Sequence, residues 1–348
     1  MKVFALSLVV ALSLFQAVIA ASRTSPPSGA IVVRAGTTTS GEYKTVASAV
    51  ASLPNDSSSR SIFIYPGTYK EQGLLRYLFT AYTTLSFVSL TTKTQIYGYT
   101  ADTSSYSGNQ VTIQAAVTAA QAGSNDASGT VRVHKNDFKM YNVNVKNTYG
   151  AGTQAIAFSQ YGSRVGLYAC GFYGYQDTLY ANAGTQVYLK GYIQGATDFI
   201  FGRGGLAFFG GNTIGVSGPG WVTASGRESN DAGSYVFDNN KIVLASGAAS
   251  GTDGKVYLGR PWGAYAKVVF KNTAITAPLN KALWSVWNTG DERTNNVLFA
   301  EYNSSGSGAS GASCPGFAKV LTASQAAAYT IASAVGSDYA SWVDTSYL

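Results

Sequence analysis

The chain has 348 residues, of which 46% are apolar and only 12% charged, while Gly (39), Tyr (24) and Phe (16) are abundant. That balance excludes global disorder and disfavours a helical bundle or coiled coil, which would need many Glu, Lys and Leu. The formal charge of +7 is spread thinly, and one histidine and two cysteines exclude a multi-His metal site, a Cys-rich zinc site and an iron–sulfur cluster. No cofactor or metal is expected.

At the N-terminus, Met1-Lys2 precedes a mostly apolar run from Val3 to Ala20, and Val18-Ile19-Ala20 offers small residues before a cut. This predicts a secretory signal peptide over 1–20 and a secreted, extracellular mature chain forming one domain over 21–348. No later apolar stretch is long enough to span a bilayer. Asn55-Asp56-Ser57 and Asn303-Ser304-Ser305 are glycosylation sequons. Tyr43 to Leu53 has an amphipathic helical pattern, and Ser61 to Tyr65 reads as a strand ended by Pro66-Gly67. The apolar, acid-free stretch 73–94 lies between two tidier pieces, GTYKEQ and QIYGYT, and is expected to be an atypical insertion.

From there the chain repeats a small unit instead of alternating helices with strands. Met140, Tyr168, Leu189, Phe209, Phe237 and Phe270 are each followed two places on by Asn142, Cys170, Gly191, Gly211, Asn239 and Asn272, then by another apolar residue. The central positions are 28, 21, 20, 28 and 33 residues apart. Periods of that size with strand-like units indicate a solenoid. Asn and Gly at the shared offset suit a left-handed bend, with Asn also able to bond the next coil. The expected fold is all-β, a right-handed parallel β-helix. A helical segment over Ala323 to Ala334 should pack across its outside, separated from the last strands by a Gly/Ser-rich loop over 304–312.

The densest mixture of polar and aromatic residues is Gly174 to Tyr180 and Asp198 to Gly202. Asp177 and Asp198 are 21 residues apart, one coil by the period above. Adjacent strands lie roughly 4.8 Å apart, so the two carboxylates can stand side by side. They cannot both ionise comfortably at that distance, which yields an acid and a nucleophile from one residue type. Tyr175, Phe199 and Phe201 around them suggest an aromatic rim. Gln154 lies 22 residues before Gln176, so two amides over neighbouring coils could face a developing oxyanion. Arg260 and Trp262 in LGRPW supply a fixed cation and a flat indole, although spacing alone does not place Arg260 beside either aspartate. His134 is expected to be an ordinary strand or turn histidine, and Cys170 and Cys314 buried or single thiols. No G-x-S-x-G is present to suggest a serine triad.

GTYKE (67–71), QAIAF (154–158), GYQDTLY (174–180), DFIFG (198–202) and LGRPW (258–262) stand in the order found in pectin methylesterases, and WVDTSYL (342–348) resembles the close of the fungal members. The resemblance runs through nearly the whole mature chain. It implies a parallel β-helix carbohydrate esterase that demethylates pectin; a monomer is the default expectation, with no nucleic-acid or membrane partner. Position by position it implies Asp198 as nucleophile, Asp177 as general acid then base, and Gln154 and Gln176 as oxyanion-stabilising groups. Arg260 matches the arginine that bonds the nucleophile, and Phe201 and Trp262 match substrate-contacting aromatics. Two rivals share this frame. A polygalacturonase-type glycoside hydrolase would also use paired carboxylates, and a non-catalytic pectin-binding protein would need no chemistry at all. A calcium-dependent lyase is disfavoured because no Asp/Glu cluster offers a site.

Overall fold

The computed structural model describes residues 21–71, 85–87 and 91–348. The signal-peptide segment and most of the 73–94 stretch lie outside the described residues. Three parallel sheets dominate: sheet A with twelve strands, sheet B with eight and sheet C with seven. The chain visits them in the order A, B, C and then climbs one coil. Phe138–Tyr141 lies in sheet A, Val143–Asn147 in B and Phe158–Gln160 in C, before Val165–Tyr168 returns to A. Every pairing between successive coils is parallel, as between Phe138–Tyr141 and Val165–Tyr168. The expected parallel β-helix is what the chain forms.

In-register parallel strands stack like on like, and the core follows from that. Tyr188, Phe209, Phe237 and Phe270 are successive register partners in sheet A. Their rings stack with centroids 4.7, 4.2 and 4.1 Å apart. Each such pair contributes about 0.5–1.5 kcal/mol beyond simple area burial. The opposite face of sheet A carries Val187, Leu189, Phe208 and Val236, and is covered by Ala334, Val335, Trp342, Val343 and Tyr347 of the C-terminal segment. The helix expected over 323–334 is two short helices, Ala323–Ala326 and Ile331–Val335, rather than one continuous helix. Capping boxes at Thr322 and Thr330 start each of them.

Several local expectations need correcting. Helix formation begins at Val46 and ends at Ala51, because Thr45 caps it and Glu42–Tyr43 pairs as a strand with Ile31–Val33. The Gly/Ser-rich loop does not close the strands, since Ala318–Val320 follows it and joins sheet A. The stretch 73–94 is not wholly an insertion. Leu85–Phe87 forms the sheet C strand of its coil against Val131–Val133, and Lys93 and Thr94 already belong to the next sheet A strand.

The bend between sheets A and B is a single residue in left-handed conformation, found at Asn142, Ala169, Lys190, Gly211, Asn239, Asn272 and Asn303. The expected bends at Cys170 and Gly191 are therefore one residue late. The residue after the bend does the other half of the work. Asn212 donates from Nδ2 to the Tyr188 carbonyl (2.8 Å), and Asn240 does the same to Phe209 (2.8 Å). Asn240 Oδ1 also accepts from the Asn212 backbone N–H, and Asn212 Oδ1 from Gly191, each at 2.8 Å. Cys170 occupies the same row, fully buried, with its Sγ on the Met140 carbonyl, and neither it nor Cys314 is in a disulfide. Replacing Asn240 by Ala should leave a buried carbonyl and a buried N–H unpaired, lowering stability by about 2–4 kcal/mol. Urea unfolding checks this, and an unchanged midpoint would contradict the ladder's importance.

Candidate active site

The turns from sheet B to sheet C bring the two aspartates together. Asp177 sits between Gly171–Tyr173 and Leu179–Ala181, and Asp198 between Tyr192–Gly195 and Ile200–Gly202, one coil higher. Both adopt left-handed backbone angles (φ 64° and 50°), which Asp tolerates better than most residues. Gln176 bridges Thr197 in parallel, and the Asp177 N–H donates to the Thr197 carbonyl at 3.1 Å, so the two turns are stacked in register. The two residues are 6% and 7% exposed, far too buried for ordinary turn aspartates.

Register also explains how Arg260 reaches this place. Phe201 pairs with Ala224, and Ala224 with Arg260, so the three form one row across sheet C. Arg260 is thus two strands from Phe201, and the small Ala224 leaves room for its side chain to reach back. Its Nε donates to Asp198 Oδ1 (2.9 Å) and its Nη2 to Oδ2 (2.7 Å), a bidentate pair. The guanidinium lies between the indoles of Trp221 (3.6 Å) and Trp287 (4.2 Å). Those contacts fix it in place.

The aspartates are in different electrostatic positions. Burial pushes the Asp177 carboxyl well above its ordinary value, the charge on Asp198 adds to the effect, and Arg260 opposes it. Burial also raises Asp198, but Arg260 works against it through hydrogen bonds and charge. With a bidentate counter-charge, Asp198 is the member that ionises first, leaving the proton on Asp177. A carboxylate and a carboxylic acid therefore face the same space.

That space is an open cleft lined by Gln154, Gln176, the two aspartates, Phe201 and Trp262, with Asn125, Ala224 and Trp287 completing the wall. Six of the candidate catalytic and substrate-binding residues line it, and the seventh, Arg260, is bonded to Asp198. The structure does not place Tyr175 or Phe199 in the cleft. Phe199 is fully buried among the core side chains, so the aromatic rim expected from its position is wrong. Phe201 instead stacks on Tyr180 at 4.3 Å and tilts against Trp262 at 6.1 Å.

Asn125, Trp221 and Trp287 are missed by the sequence reading. Asn125, whose Nδ2 lies 3.5 Å from Asp177 Oδ2, comes from an irregular segment with no repeat to locate it. Trp287 stands in a loop outside the coils. Trp221, 23 residues after Asp198, carried a usable signal in the coil period.

His134 lies just past the strand Val131–Val133, where its Nε2 contacts Asp126 Oδ1 at 2.8 Å and its ring stacks on Tyr161. It does not line the cleft. Burial alone would raise the Asp126 carboxyl, but hydrogen bonds with His134, Arg132 and Ser159 hold it well below the usual range. Among the described residues, no group of three or more His, Cys, Asp or Glu side chains is placed to hold a metal ion.

The coil and this cleft together define a parallel β-helix protein built around a buried carboxylate pair on the B-to-C turns. The pectinesterase family model matches residues 30–338. The chain is 42% identical to a pectinesterase of Aspergillus aculeatus, over 94% of this chain and 95% of the relative, and 40% identical to one of Aspergillus niger over 95% of each. The crystal structure of the deglycosylated pectin methylesterase from Aspergillus niger superimposes with a TM-score of 0.82 at 38% identity, covering 94% of this chain and 100% of that one. The pectin methylesterase from carrot gives 0.79 at 27% identity, covering 93% and 98%. The chain belongs to the pectinesterase family.

Proposed function

We propose that this pectinesterase hydrolyses the methyl esters of galacturonate units in pectin, releasing methanol, with Asp198 as nucleophile and Asp177 as acid and then base. The observation that carries the reading is the unequal aspartate pair, one member clamped by Arg260 and the other buried without a cation of its own. Ionised Asp198 attacks the C6 carbonyl, and amide N–H groups of Gln154 and Gln176 stabilise the oxyanion. Asp177 gives its proton to the departing methoxyl, leaving an acyl-enzyme on Asp198. The resulting Asp177 carboxylate then takes a proton from water, which attacks the acyl carbonyl and restores both residues. Phe201 and Trp262 give the cleft an apolar wall beside which sugar rings can rest.

The test is methanol release from highly methylated pectin, with reducing ends assayed in the same tube. Methanol without new reducing ends is the expected result. Reducing ends without methanol would transfer the carboxylate pair to glycosidic chemistry. Secretion and glycosylation belong to the same proposal. The apolar 3–20 segment supports export, and Asn55 is exposed, its Oδ1 accepting from Thr91. Asn303 suits a glycan less well, because its Nδ2 donates to Asn272 at 3.0 Å. Among the described residues, no helix is long and apolar enough to cross a membrane.

A further inference from the structure

Arg260, Arg293 and Arg203 each touch a residue that lines the cleft, and Arg227 adjoins Gly226, which packs on Trp262; the four are not equivalent. Arg260 is used by Asp198 and two indoles. Arg293 gives Nε and Nη2 to Asp291 and Nη1 to the Trp262 carbonyl. Arg227, its side chain only 5% exposed, is spent on Asp231, Asn230 and the Tyr265 carbonyl. Arg203 differs from all three. Its guanidinium lies over the Trp262 ring at 4.1 Å, and its anionic partner is Glu228, with the two side chains 46% and 69% exposed.

Trp262 is itself held tightly. A Cβ added to Gly226 would come within 2.3 Å of its Cε3, so the absence of a side chain there lets the indole lie flat against the turn. The wall is therefore a fixed indole that presents one guanidinium at the edge of the cleft. An exposed carboxylate such as Glu228 holds that guanidinium only weakly. A carboxylate arriving on a bound chain can take its place, because the planar fork of an arginine suits bidentate carboxylate binding.

We propose that Arg203 is a specificity-determining residue that binds the free carboxylate of an already demethylated galacturonate unit near the ester being cleaved. The inference rests on the esterase reading above and deepens it. Arg203 makes each product carboxylate a recognition feature for the next event, so demethylation of partly processed pectin is favoured over first attack on a fully methylated chain.

The experiment compares kcat/KM for methanol release from two galacturonate hexamers, one fully methylated and one carrying a single methyl ester among free acids. The wild-type ratio should favour the second substrate and fall as salt is raised. Arg203→Gln should lower that ratio roughly 3- to 5-fold, mainly through KM. Arg203→Lys should restore part of it, and Glu228→Gln should raise it by freeing the guanidinium. Arg60→Gln removes an exposed pair with Asp56 on the first coil and serves as the control with an unchanged ratio. An Arg203→Gln enzyme with the wild-type ratio overturns the proposal, whatever its overall rate. If wild-type protein released no methanol from either hexamer, the esterase reading itself would fail instead.

Discussion

Asp198→Asn should abolish methanol release, with a loss of at least about 10³-fold in kcat, because an amide cannot form the acyl-enzyme. Asp177→Asn should be almost as severe, since the neutral amide can neither protonate methanol nor activate water. The two variants differ in what remains. With Asp177→Asn, acylation by a substrate with a better leaving group should be partly rescued, whereas with Asp198→Asn it should not. Full activity in either variant would remove that residue from the mechanism. In the wild type, kcat/KM should rise as the pair loses its first proton, at Asp198, and fall as it loses the second, at Asp177. Burial raises both groups, so the active window should lie above the ordinary carboxylate range.

The same asymmetry has a consequence for stability. The native Asp177 carboxyl holds its proton more tightly than the unfolded one, because burial and Asp198 raise it. The stability it contributes is complete below the unfolded value of about 3.9. It is lost as pH rises towards the native value, where the unfolded chain has already released its proton. Asp177→Asn carries no such penalty. It should therefore melt at or above the wild-type temperature near pH 7, with a gap that shrinks towards pH 4. Calorimetry at the two pH values measures that gap.

Arg260→Gln is the second change with a large expected effect. It leaves the buried Asp198 carboxylate without its bidentate partner, and breaking a buried pair in this way typically costs about 3–5 kcal/mol. Asp198 should then take up a proton more readily, moving the acidic limb of the rate profile upward and cutting kcat/KM on the order of 100-fold at the wild-type optimum. Arg260→Lys should retain the charge and part of the stability but lose the fork that holds both oxygens. A variant with an unmoved acidic limb would show that Arg260 does not govern the ionisation of Asp198.

Much of the fold was legible because a parallel β-helix repeats itself in the chain. The apolar residues before each bend, from Met140 to Phe270, mark the sheet A strands, and the near-constant offset between them reveals the coil. What that pattern blurred was the division of labour at the bend. Asn239 turns the chain while Asn240 bonds the neighbouring coils, and a doubled asparagine looks the same from either position. The helices were overextended for a related reason. Periodicity marks the apolar face of 43–53, but the Thr45 cap and the strand pairing of Tyr43 decide where helix begins.

The site divides along the same line. The spacing of Asp177 and Asp198 set them one coil apart, which by itself determined that two carboxylates would share a surface. The register of sheet C, running from Phe201 through Ala224 to Arg260, decided which of the two would be clamped and so which would keep the proton. Spacing along the chain fixes neighbours only within the repeat. Asn125, Trp287 and the reach of Arg260 depend on irregular loops and side-chain paths, whose positions follow from packing in three dimensions and leave no period in the sequence.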